Sequence, residues 1–439
     1  MEKQGPDRGC APVRPLFFHY FYGGEVKVTI LAAGSRGDVQ PYLALAVGLQ
    51  RAGYEVAFCA NVDYGPMAEA FGLEFRPIGI NAYEYSKSPL VQAWLASNSA
   101  LDLIRTTAPA IRPVLEPMFR DTLAACRDSD LIVYHSFTLP FIFYYAEHLG
   151  ISCVPASLYP LPTRAHSALP AQVRPGPGGL VNLLSHLVVE VISWGIFAQP
   201  FRKFWSANSR PRGNPHRRMR TERPLVLCAY SPTVLPRPED YPSNAVVTGY
   251  WFLEPDPAWR PDPALEDFIS SGDPPVYVGF GSMGSPAQGR RMTEIVLNAQ
   301  AATGRRVVFG AGWGDLGQGL ELPETVRVVR DVPFEWLFPR MAAIVHHGGA
   351  GTTALGLRSG VPNVVVPHFS DNYFWGRRVA ELGAGPVPVA RENLSTERLI
   401  AAIQAAVEDE KIKNRAVEFG RSIAAEDGVQ AAVESIINS

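Results

Sequence analysis

The chain has 439 residues, enough for about two or three domains with separate cores. Its 47% hydrophobic and 19% charged content excludes a disordered chain, and a formal net charge of -2 excludes an electrostatic nucleic-acid binder. Five scattered cysteines without a C-x-x-C pair argue against a disulfide scaffold or zinc knuckle and favour a reducing compartment. We therefore expect a cytoplasmic globular protein with no nucleic-acid partner.

The first half of the chain alternates between strand and helix signals. Residues 1–25 lack an apolar core of signal-peptide length and predict a poorly ordered leader. The apolar run 26–33 predicts a strand buried on both faces of a parallel sheet, with Pro41 in the first turn of the next helix. Further strands are predicted at 75–78, 130–137, 151–157 and 225–230, with a helical stretch at about 100–126.

Two segments near the middle of the chain differ in character. Residues 179–205 are the most apolar, but polar side chains interrupt them and Gly195 and Pro200 are expected to break the helix. We therefore predict that this segment does not span a membrane. The pattern favours an amphipathic helix beside an apolar pocket or on a membrane surface. Residues 206–224 carry arginines and prolines without periodicity, which predicts a mobile loop.

A proline-rich stretch at 231–275 predicts the connection between two domains. We place the boundary after residue 240, giving an N-terminal domain at 26–240 and a C-terminal domain at 241–439, whose last helix is free to pack back on the first. Strands are predicted in PVYVGFGSMGS, RVVFGAG, VRVV, AAIVHH, NVVVP and GPVPV. The alternation predicts an α/β fold of two facing, doubly wound parallel-sheet domains with a cleft between them.

The glycine-rich segment HHGGAGTT, residues 346–353, joins a predicted strand to a predicted helix. Such a turn offers backbone N–H groups and the positive end of a helix dipole to an anion, and Thr352 and Thr353 add hydroxyl donors. Alternation along the strand sends His346 and His347 to opposite faces, and metal binding would need further ligands. The alternative is a glycine-rich turn flanked by core histidines.

Residues 346–383, HHGGAGTTALGLRSGVPNVVVPHFSDNYFWGRRVAELG, resemble the donor-binding signature of nucleotide-sugar glycosyltransferases of the GT-B fold. Together with GSRGDVQP at 34–41, HHGGAGT is similar to the branch of this UDP-glycosyltransferase superfamily that contains sterol glucosyltransferases and bacterial natural-product glycosyltransferases. The resemblance extends from residue 26 to about residue 435. It implies a GT-B fold with two Rossmann-like domains.

The resemblance implies a site for the donor diphosphate in the second domain. The residues implied to hold it are His347, Gly349, Gly351, Thr352 and Ser282. Ser282 lies in the first turn of the second domain, and the alternative for it is a plain turn serine. His346 is expected to be structural.

The resemblance also implies contacts to the nucleoside. Val332 is expected to meet the uracil through its backbone. Asp331 stands where many plant members have a stacking tryptophan, so Trp336 and Trp313 are candidates for aromatic surface, with packing as their alternative role. Leu355 stands where many plant members carry a ribose-binding glutamate, which the sterol and bacterial branches also lack.

For the sugar, the resemblance implies hydrogen bonds from Asp371 and Asn372 to its hydroxyls. Asn372 replaces the usual glutamine and is one methylene shorter, which leaves the identity of the sugar open. We expect UDP-glucose as the donor and glucose as the transferred sugar, with TDP as an alternative nucleotide.

For the acceptor, the resemblance implies that Asp38 is the base that deprotonates the hydroxyl. Plant members pair a histidine base with an aspartate on a later strand, and this chain has His135 at that later position. We predict a reversed dyad of Asp38 and His135. The alternatives are a helix-capping role for Asp38 and a pocket-lining or core role for His135.

The resemblance therefore implies an inverting, metal-independent glycosyltransferase without a cofactor, using a UDP-sugar as co-substrate. The apolar residues 137–145 and 179–205 favour a lipophilic acceptor such as a sterol, terpenoid, polyketide or flavonoid-like alcohol. Nearby arginines allow peripheral contact with an anionic membrane, although a solvated loop is the alternative; they are Arg202, Arg210, Arg212, Arg217, Arg218 and Arg220. Two other functions stay open: a catalytically silent GT-B partner that activates another transferase, and a nucleotide-sugar epimerase of the same fold.

Overall fold

The computed structural model describes residues 26–97, 100–168, 178–205, 213–256, 258–281, 286–312, 316–317, 320–368 and 371–439. The predicted leader 1–25, Ser282, Trp313 and residues 206–212 of the predicted loop lie outside these ranges.

The first sheet contains seven parallel strands in the order β3-β2-β1-β4-β5-β6-β7. Its strands are β1 (Lys27–Leu31), β2 (Glu55–Asn61), β3 (Glu74–Ile78), β4 (Leu131–His135), β5 (Ser152–Ser157), β6 (Val226–Cys228) and β7 (Ala245–Val247). The strand order reverses between β1 and β4, where Ile30 pairs with Val133. Ligands of such sheets bind at the carboxyl ends of the strands flanking this reversal. The sheet extends past residue 240, because β7 pairs with β6.

The helices of the first half cover both faces of this sheet. They are α1 (Arg36–Arg51), α2 (Gly65–Ala70), α3 (Ala82–Ser86), α4 (Pro89–Leu95), α5 (Ala100–Ile111), α6 (Leu115–Ala125), α7 (Ile142–Leu149), α8 (Leu180–Phe204) and α9 (Pro215–Glu222). Val28, Ile30 and Val133 point into the core beneath α1, and Leu31, Ile132 and Tyr134 into the core beneath α6 and α8. The strands are thus buried on both faces, as their continuous apolar runs predict.

The second sheet has five parallel strands in the order β10-β9-β8-β11-β12. They are β8 (Val276–Gly279), β9 (Val307–Gly310), β10 (Val326–Val329), β11 (Ala343–His346) and β12 (Asn363–Val365). Its helices are α10 (Pro263–Ser270), α11 (Pro286–Thr303), α12 (Phe334–Leu337), α13 (Ala350–Arg358), α14 (Asn372–Glu381), α15 (Thr396–Glu408), α16 (Glu410–Ala424) and α17 (Gly428–Ile437). The order reverses between β8 and β11, so the turns after these two strands share one crevice. The predicted fold of two doubly wound sheets is confirmed.

The two halves are in direct contact. Ala432, Val433 and Ile436 of α17 belong to the core beneath α1 in the first domain. Ser231 donates a hydrogen bond to Glu426 at 2.7 Å, which fixes the chain on either side of the predicted connection.

The predicted start of the first helix is wrong. α1 begins at Arg36, so Pro41 lies inside the helix and not in its first turn. The Asp38 carboxylate accepts the backbone N–H of Ser35, which starts the helix there. Pro41 only forgoes one hydrogen bond, to the carbonyl of Gly37.

The predicted break in residues 179–205 is also wrong, because α8 is one continuous helix through Gly195 and Pro200. Its inner face packs Trp194, Phe197 and Phe201 into the first domain, which outweighs the local cost of glycine and proline. By length and composition α8 is apolar enough to cross a membrane, contrary to the prediction.

Two further predictions are corrected. Residues 215–222 of the predicted loop form helix α9, in which Arg218 pairs with Glu147 at 2.7 Å and Arg220 pairs with Glu190 at 2.5 Å. GPVPV, residues 385–389, is not a strand. It runs beside β12, and the N–H of Val389 donates an isolated hydrogen bond to the carbonyl of Val365. Its prolines lack the N–H groups that regular pairing of strands needs.

Candidate active site

Asp38 lies in the first turn of α1, directly above the carboxyl end of β1. Its Oδ2 accepts the backbone N–H of Ser35 at 2.9 Å and the Ser35 hydroxyl at 2.8 Å. Its Oδ1 accepts the hydroxyl of Tyr159, from the loop after β5, at 3.2 Å. The carboxylate therefore has a capping role as well, which fixes its position in the crevice.

His135 ends β4, the strand next to β1, and is fully buried. Its Nε2 lies 3.7 Å from Asp38 Oδ1. Its Nδ1 accepts the backbone N–H groups of Phe137 and Thr138, which leaves the ring proton of the neutral form on Nε2, facing Asp38. Tyr42 stacks on the imidazole with ring centroids 5.1 Å apart. The structure thus brings the two residues of the predicted dyad together.

The surroundings of Asp38 keep its carboxylate ionised. Burial alone would raise the pKa of Asp38, but the interactions with His135 and Ser35 together outweigh it and hold the pKa below its usual value. Burial and the nearby carboxylates of Asp38 and Asp371 raise the pKa of Tyr159 well above its usual value. Tyr159 therefore keeps its proton, and its hydroxyl donates a hydrogen bond to Asp38.

The two adjacent histidines after β11 have separate surroundings. His346 Nε2 bonds Asn363 Oδ1 at 3.0 Å, and its Nδ1 accepts the N–H of Gly348 at 3.1 Å. The expected structural role of His346 is therefore visible in its hydrogen bonds. His347 Nδ1, in contrast, is buried without a partner among the described residues. Burial lowers the pKa of His347 to about 4, so its neutral ring keeps one N–H for a ligand.

Two glycines without a Cβ leave space for the imidazole of His347. A Cβ built on Gly281, in the turn after β8, would lie 3.1 Å from the imidazole, and one on Gly349 would lie 2.4 Å from its Nε2. Gly281 also has a positive φ of 58°, which favours glycine. The turns after β8 and β11 therefore close around His347 at the reversal of strand order.

The N-terminus of α13 points into the same crevice. Gly349 precedes the helix, and the N–H groups of its first turn, including those of Gly351 and Thr352, have no acceptor within the helix. Thr353 adds a buried hydroxyl without a partner among the described residues. A Cβ on Gly351 would lie 3.7 Å from Gly37 of α1, so the N-terminal ends of two helices face each other across the cleft. Both helix dipoles favour an anion there.

Asp371 and Asn372 begin α14 beside this turn, and a Cβ on Gly348 would lie 2.8 Å from the Asn372 carbonyl oxygen. Burial, and then the charge of Asp38, raise the pKa of Asp371 to about 7. The charge of Asp38, in the first domain, thus contributes to the raised pKa of Asp371 in the second.

The predicted nucleobase segment follows β10 at the edge of the crevice. Val332 is partly buried against an apolar cluster that includes Leu337 and Phe338. Asp331 before it has a φ of 52°, an unusual backbone conformation for a residue other than glycine. Trp336 packs on Trp259 with ring centroids 5.4 Å apart, which matches its alternative role in packing.

Three residues of the site carry no signal that the sequence analysis used. Tyr159 and Ser35 hold Asp38, and His368 lies beside His347 with ring centroids 6.2 Å apart. Ser35 is detectable in sequence as the cap of a capping box with Asp38. Tyr159 comes from a separate loop, so only the fold reveals its contact.

The predicted acceptor surface is smaller than expected. In residues 137–145, Leu139 and the aromatic residues from Phe141 to Tyr145 are core residues, which packing excludes from a pocket. Phe137 is 45% exposed and lies beside Tyr159, with ring centroids 5.9 Å apart, so it faces the side of the cleft that holds Asp38. On α8 the exposed apolar side chains are spaced by one, three or four residues, as expected of one helix face; they are Leu180, Val181, Leu184, Val188, Val191 and Ile192.

Comparisons with known families and proteins agree with this architecture. The glycosyltransferase family 28 N-terminal domain matches residues 28–116, and the erythromycin biosynthesis protein CIII-like C-terminal domain matches residues 295–438. The O-mycaminosyltylonolide 6-deoxyallosyltransferase of Streptomyces fradiae is 36% identical over 93% of this chain and 96% of its own length. A sterol 3-beta-glucosyltransferase of Arabidopsis thaliana is 33% identical over 94% of this chain and 68% of its own length.

Solved structures share the fold. The glycosyltransferase of kitacinnamycin superposes with a TM-score of 0.67 at 19% identity, covering 94% of this chain and 98% of that chain. The glycosyltransferase VinC, solved in complex with DTDP, gives a TM-score of 0.58 at 20% identity over 94% of this chain and 99% of that chain. Given the fold, the relatives and the crevice, the chain belongs to the GT-B glycosyltransferases, in the branch of the sterol glucosyltransferases and bacterial natural-product glycosyltransferases.

Proposed function

We propose that the protein transfers glucose from UDP-glucose to a hydroxyl of a lipophilic acceptor, with inversion at the anomeric carbon and without a metal ion or cofactor. The observation that carries the proposal is the arrangement across the cleft. Asp38 lies in the first turn of α1, and Gly37 of that turn approaches Gly351 at the start of α13, beside the turn that holds His347.

In the proposed reaction, the acceptor hydroxyl donates to Oδ1 of Asp38 while its oxygen attacks the anomeric carbon. The new glycosidic bond forms as the bond from that carbon to the diphosphate oxygen breaks, and the electron pair leaves with UDP. The acceptor proton moves to Asp38 and then to solvent. His135 Nε2–H faces the same carboxylate and supports its ionised form before the step.

Negative charge grows on the departing diphosphate. The proposal assigns its stabilisation to the N–H groups at the start of α13, the His347 ring and the hydroxyls of Thr352 and Thr353. They are present before the reaction, so little reorganisation is needed. The proposal also assigns a phosphate contact to Ser282, which follows the turn at Gly281, and sugar hydroxyl contacts to Asp371 and Asn372.

The proposal also specifies the nucleotide and the sugar of the donor. Sterol relatives named as glucosyltransferases support glucose, whereas the VinC structure with DTDP shows that a protein of this fold binds a thymidine nucleotide. UDP is the choice that the resemblance in HHGGAGTT and the neighbouring motifs favours.

The acceptor is proposed from the relatives and from the exposed apolar surface. One of the named relatives is a sterol glucosyltransferase, and the other is named for the acceptor O-mycaminosyltylonolide. Phe137 near Asp38 offers an apolar contact for such a molecule. We further propose that the protein is cytoplasmic and that the exposed face of α8 rests on a membrane surface, where such acceptors dissolve.

The two alternatives predict different behaviour. A silent partner protein would bind nucleotide without turnover, and an intact Asp38 with His135 beside it gives no reason for such loss. An epimerase would change UDP-glucose without any acceptor. The relatives that cover most of this chain are named as transferases, which favours transfer.

Mass spectrometry tests the proposal. The purified chain is incubated with UDP-glucose, TDP-glucose or UDP-galactose and a panel of sterols, flavonoids and macrolides. A product heavier by one hexose, formed with release of UDP, is the expected result, and NMR of its anomeric proton should show the β configuration from an α-linked donor. Tight UDP binding without product across the panel favours the silent partner, and a changed sugar nucleotide without acceptor favours the epimerase.

A further inference from the structure

Arg391 is a buried charged residue that connects the two domains. It begins a single turn of 3₁₀-helix, Arg391–Asn393, in the second domain, and it is 8% exposed. Its Nη1 donates a hydrogen bond to the carbonyl of Leu95 at 3.3 Å, and its Nη2 donates one to the carbonyl of Ser97 at 3.2 Å. Leu95 is the last residue of α4, in the first domain. The guanidinium therefore crosses from one domain to the other.

The end of α4 is a place that favours this cation. The last carbonyls of a helix have no partner within it, and they carry the negative end of the helix dipole. A guanidinium holds several N–H groups in a rigid plane, so one side chain serves two carbonyls. The contact thus holds the end of α4 against the second domain.

The backbone around Arg391 is bonded to the sugar side of the proposed donor site. The N–H of Arg391 donates to the carbonyl of Pro367, two residues beyond β12, at 3.1 Å. The carboxylate of Glu392 accepts the hydroxyl of Tyr373 at 3.3 Å. Tyr373 follows Asn372 in the first turn of α14. The position of the arginine is therefore fixed relative to the residues assigned to the donor sugar.

Helices α3, α4 and α5 form a helical lobe of the first domain. Val91, Leu95 and Ala110 make an apolar cluster of their own. Tyr85 of α3 donates a hydrogen bond to the carbonyl of Ala110 at 2.8 Å, which joins α3 to α5. So small a cluster buries little apolar area, and the bonds from Arg391 add a contact that fixes the lobe.

The helical lobe begins beside the turn that leads to Asp38. Asn61, at the end of β2, donates through Nδ2 to the carbonyl of Ile80 at 3.2 Å, just before α3. The Oδ1 of Asn61 accepts the N–H of Gly34 at 3.0 Å, in the turn between β1 and α1. The lobe therefore extends across the cleft, from the side of Asp38 to the side of Arg391.

We propose that Arg391 is a positioning residue for the transfer reaction, which fastens the helical lobe to the second domain and thereby limits the access of water to the cleft. The kinetic part of this inference rests on the proposed function. If water reaches the anomeric carbon, its oxygen bonds to that carbon, the bond to the diphosphate oxygen breaks and one proton is released. The products are then free glucose and UDP in place of the glycoside.

Hydrogen exchange of the ligand-free full chain, followed by mass spectrometry, tests the contact itself. In Arg391→Ala the amides of α4 and α5 are expected to exchange about fivefold or more faster than in the wild type, because the lobe loses two hydrogen bonds to a charged group. Arg391→Lys keeps the charge without the planar fork and is expected to fall between them. Arg378→Ala is the matched control: it removes a hydrogen bond to the Val234 carbonyl and should leave α4 and α5 unchanged.

The partition of UDP-glucose between hydrolysis and transfer tests the function of the contact. The acceptor is the sterol, flavonoid or macrolide of the panel that the wild type glycosylates fastest. The ratio of free glucose to glycoside is expected to rise about fivefold or more in Arg391→Ala, because water gains access to the cleft. The affinity for UDP is expected to stay within about twofold of the wild type, since Arg391 donates to carbonyls of the first domain.

The inference is overturned if α4 and α5 of Arg391→Ala exchange as in the wild type. It is also overturned if they exchange faster while the product ratio is unchanged, because the contact is then structural only. A loss of UDP affinity together with both reactions overturns it as well, since it indicates damage to the second domain. A wild type that forms no glycoside contradicts the proposed function, and the exchange of α4 and α5 then decides the inference alone.

Discussion

Asp38 Oδ1 and His135 Nε2 lie 3.7 Å apart, at the point where the strand order of the first sheet reverses between β1 and β4. The backbone determines which ring nitrogen of His135 carries its hydrogen. Two N–H groups after β4 bond the Nδ1 of His135, so its Nε2–H must face Asp38. The distance is longer than a hydrogen bond and leaves space for the carboxylate to shift when an acceptor hydroxyl arrives.

His135→Ala is expected to lower kcat by about tenfold or more, because Asp38 loses the group that stabilises its charge. The pH profile of kcat/KM gives a second measurement. Activity falls as pH drops through the pKa of Asp38, and without His135 that pKa rises, so the fall begins at a higher pH. His216→Ala, at a buried histidine of α9, is the control. A turnover and pH profile like those of the wild type would mean that Asp38 acts alone.

Asp371→Asn is expected to stabilise the ligand-free protein at alkaline pH. The pKa of Asp371 is raised from 3.8 to about 7, so the folded state holds a proton that the unfolded state has already released between these values. The free energy of unfolding of the wild type therefore falls as pH rises through this range. The variant avoids this loss, which amounts to at most about 4 kcal/mol above pH 7.

Thermal unfolding at pH 5 and pH 8 measures this effect of Asp371. The difference in Tm between Asp371→Asn and the wild type should be larger at pH 8. Asp267→Asn, on the exposed side of α10, is the control variant. Equal differences at the two pH values would contradict the raised pKa.

The exposed face of α8 is expected to bind lipid. Val188→Glu with Val191→Glu places two charges on this face, at side chains that are 50% and 65% exposed. Co-sedimentation with vesicles containing anionic lipid should fall about fivefold or more, because charge opposes burial in the interface. Val387→Glu, at a 79% exposed valine of the second domain, is the control. Unchanged binding by the α8 variant would rule out this surface.

Much of the fold follows from the pattern of apolar runs. The parallel strands are buried on both faces, so β1 and β4 read as continuous apolar segments, and alternation with helices fixes their parallel pairing. The errors occur where tertiary packing overrides local signals. Pro200 and Gly195 remain helical because α8 is packed on its inner face.

The site was predictable where one motif supplies several residues, as at His347 and the start of α13. It was not predictable where distant loops meet. The contact between Tyr159 and Asp38 joins residues from two separate turns, and the raised pKa of Asp371 depends on a charge in the other domain.

The role of Asp38 as the base is the central claim, and Asp38→Asn tests it most directly. Asparagine keeps an oxygen for the Ser35 N–H at the start of α1 but cannot take the acceptor proton. UDP release in the presence of an acceptor, measured beside UDP affinity, should fall by about 100- to 10,000-fold while UDP binds as in the wild type. Turnover by Asp38→Asn within about tenfold of the wild type would contradict the account.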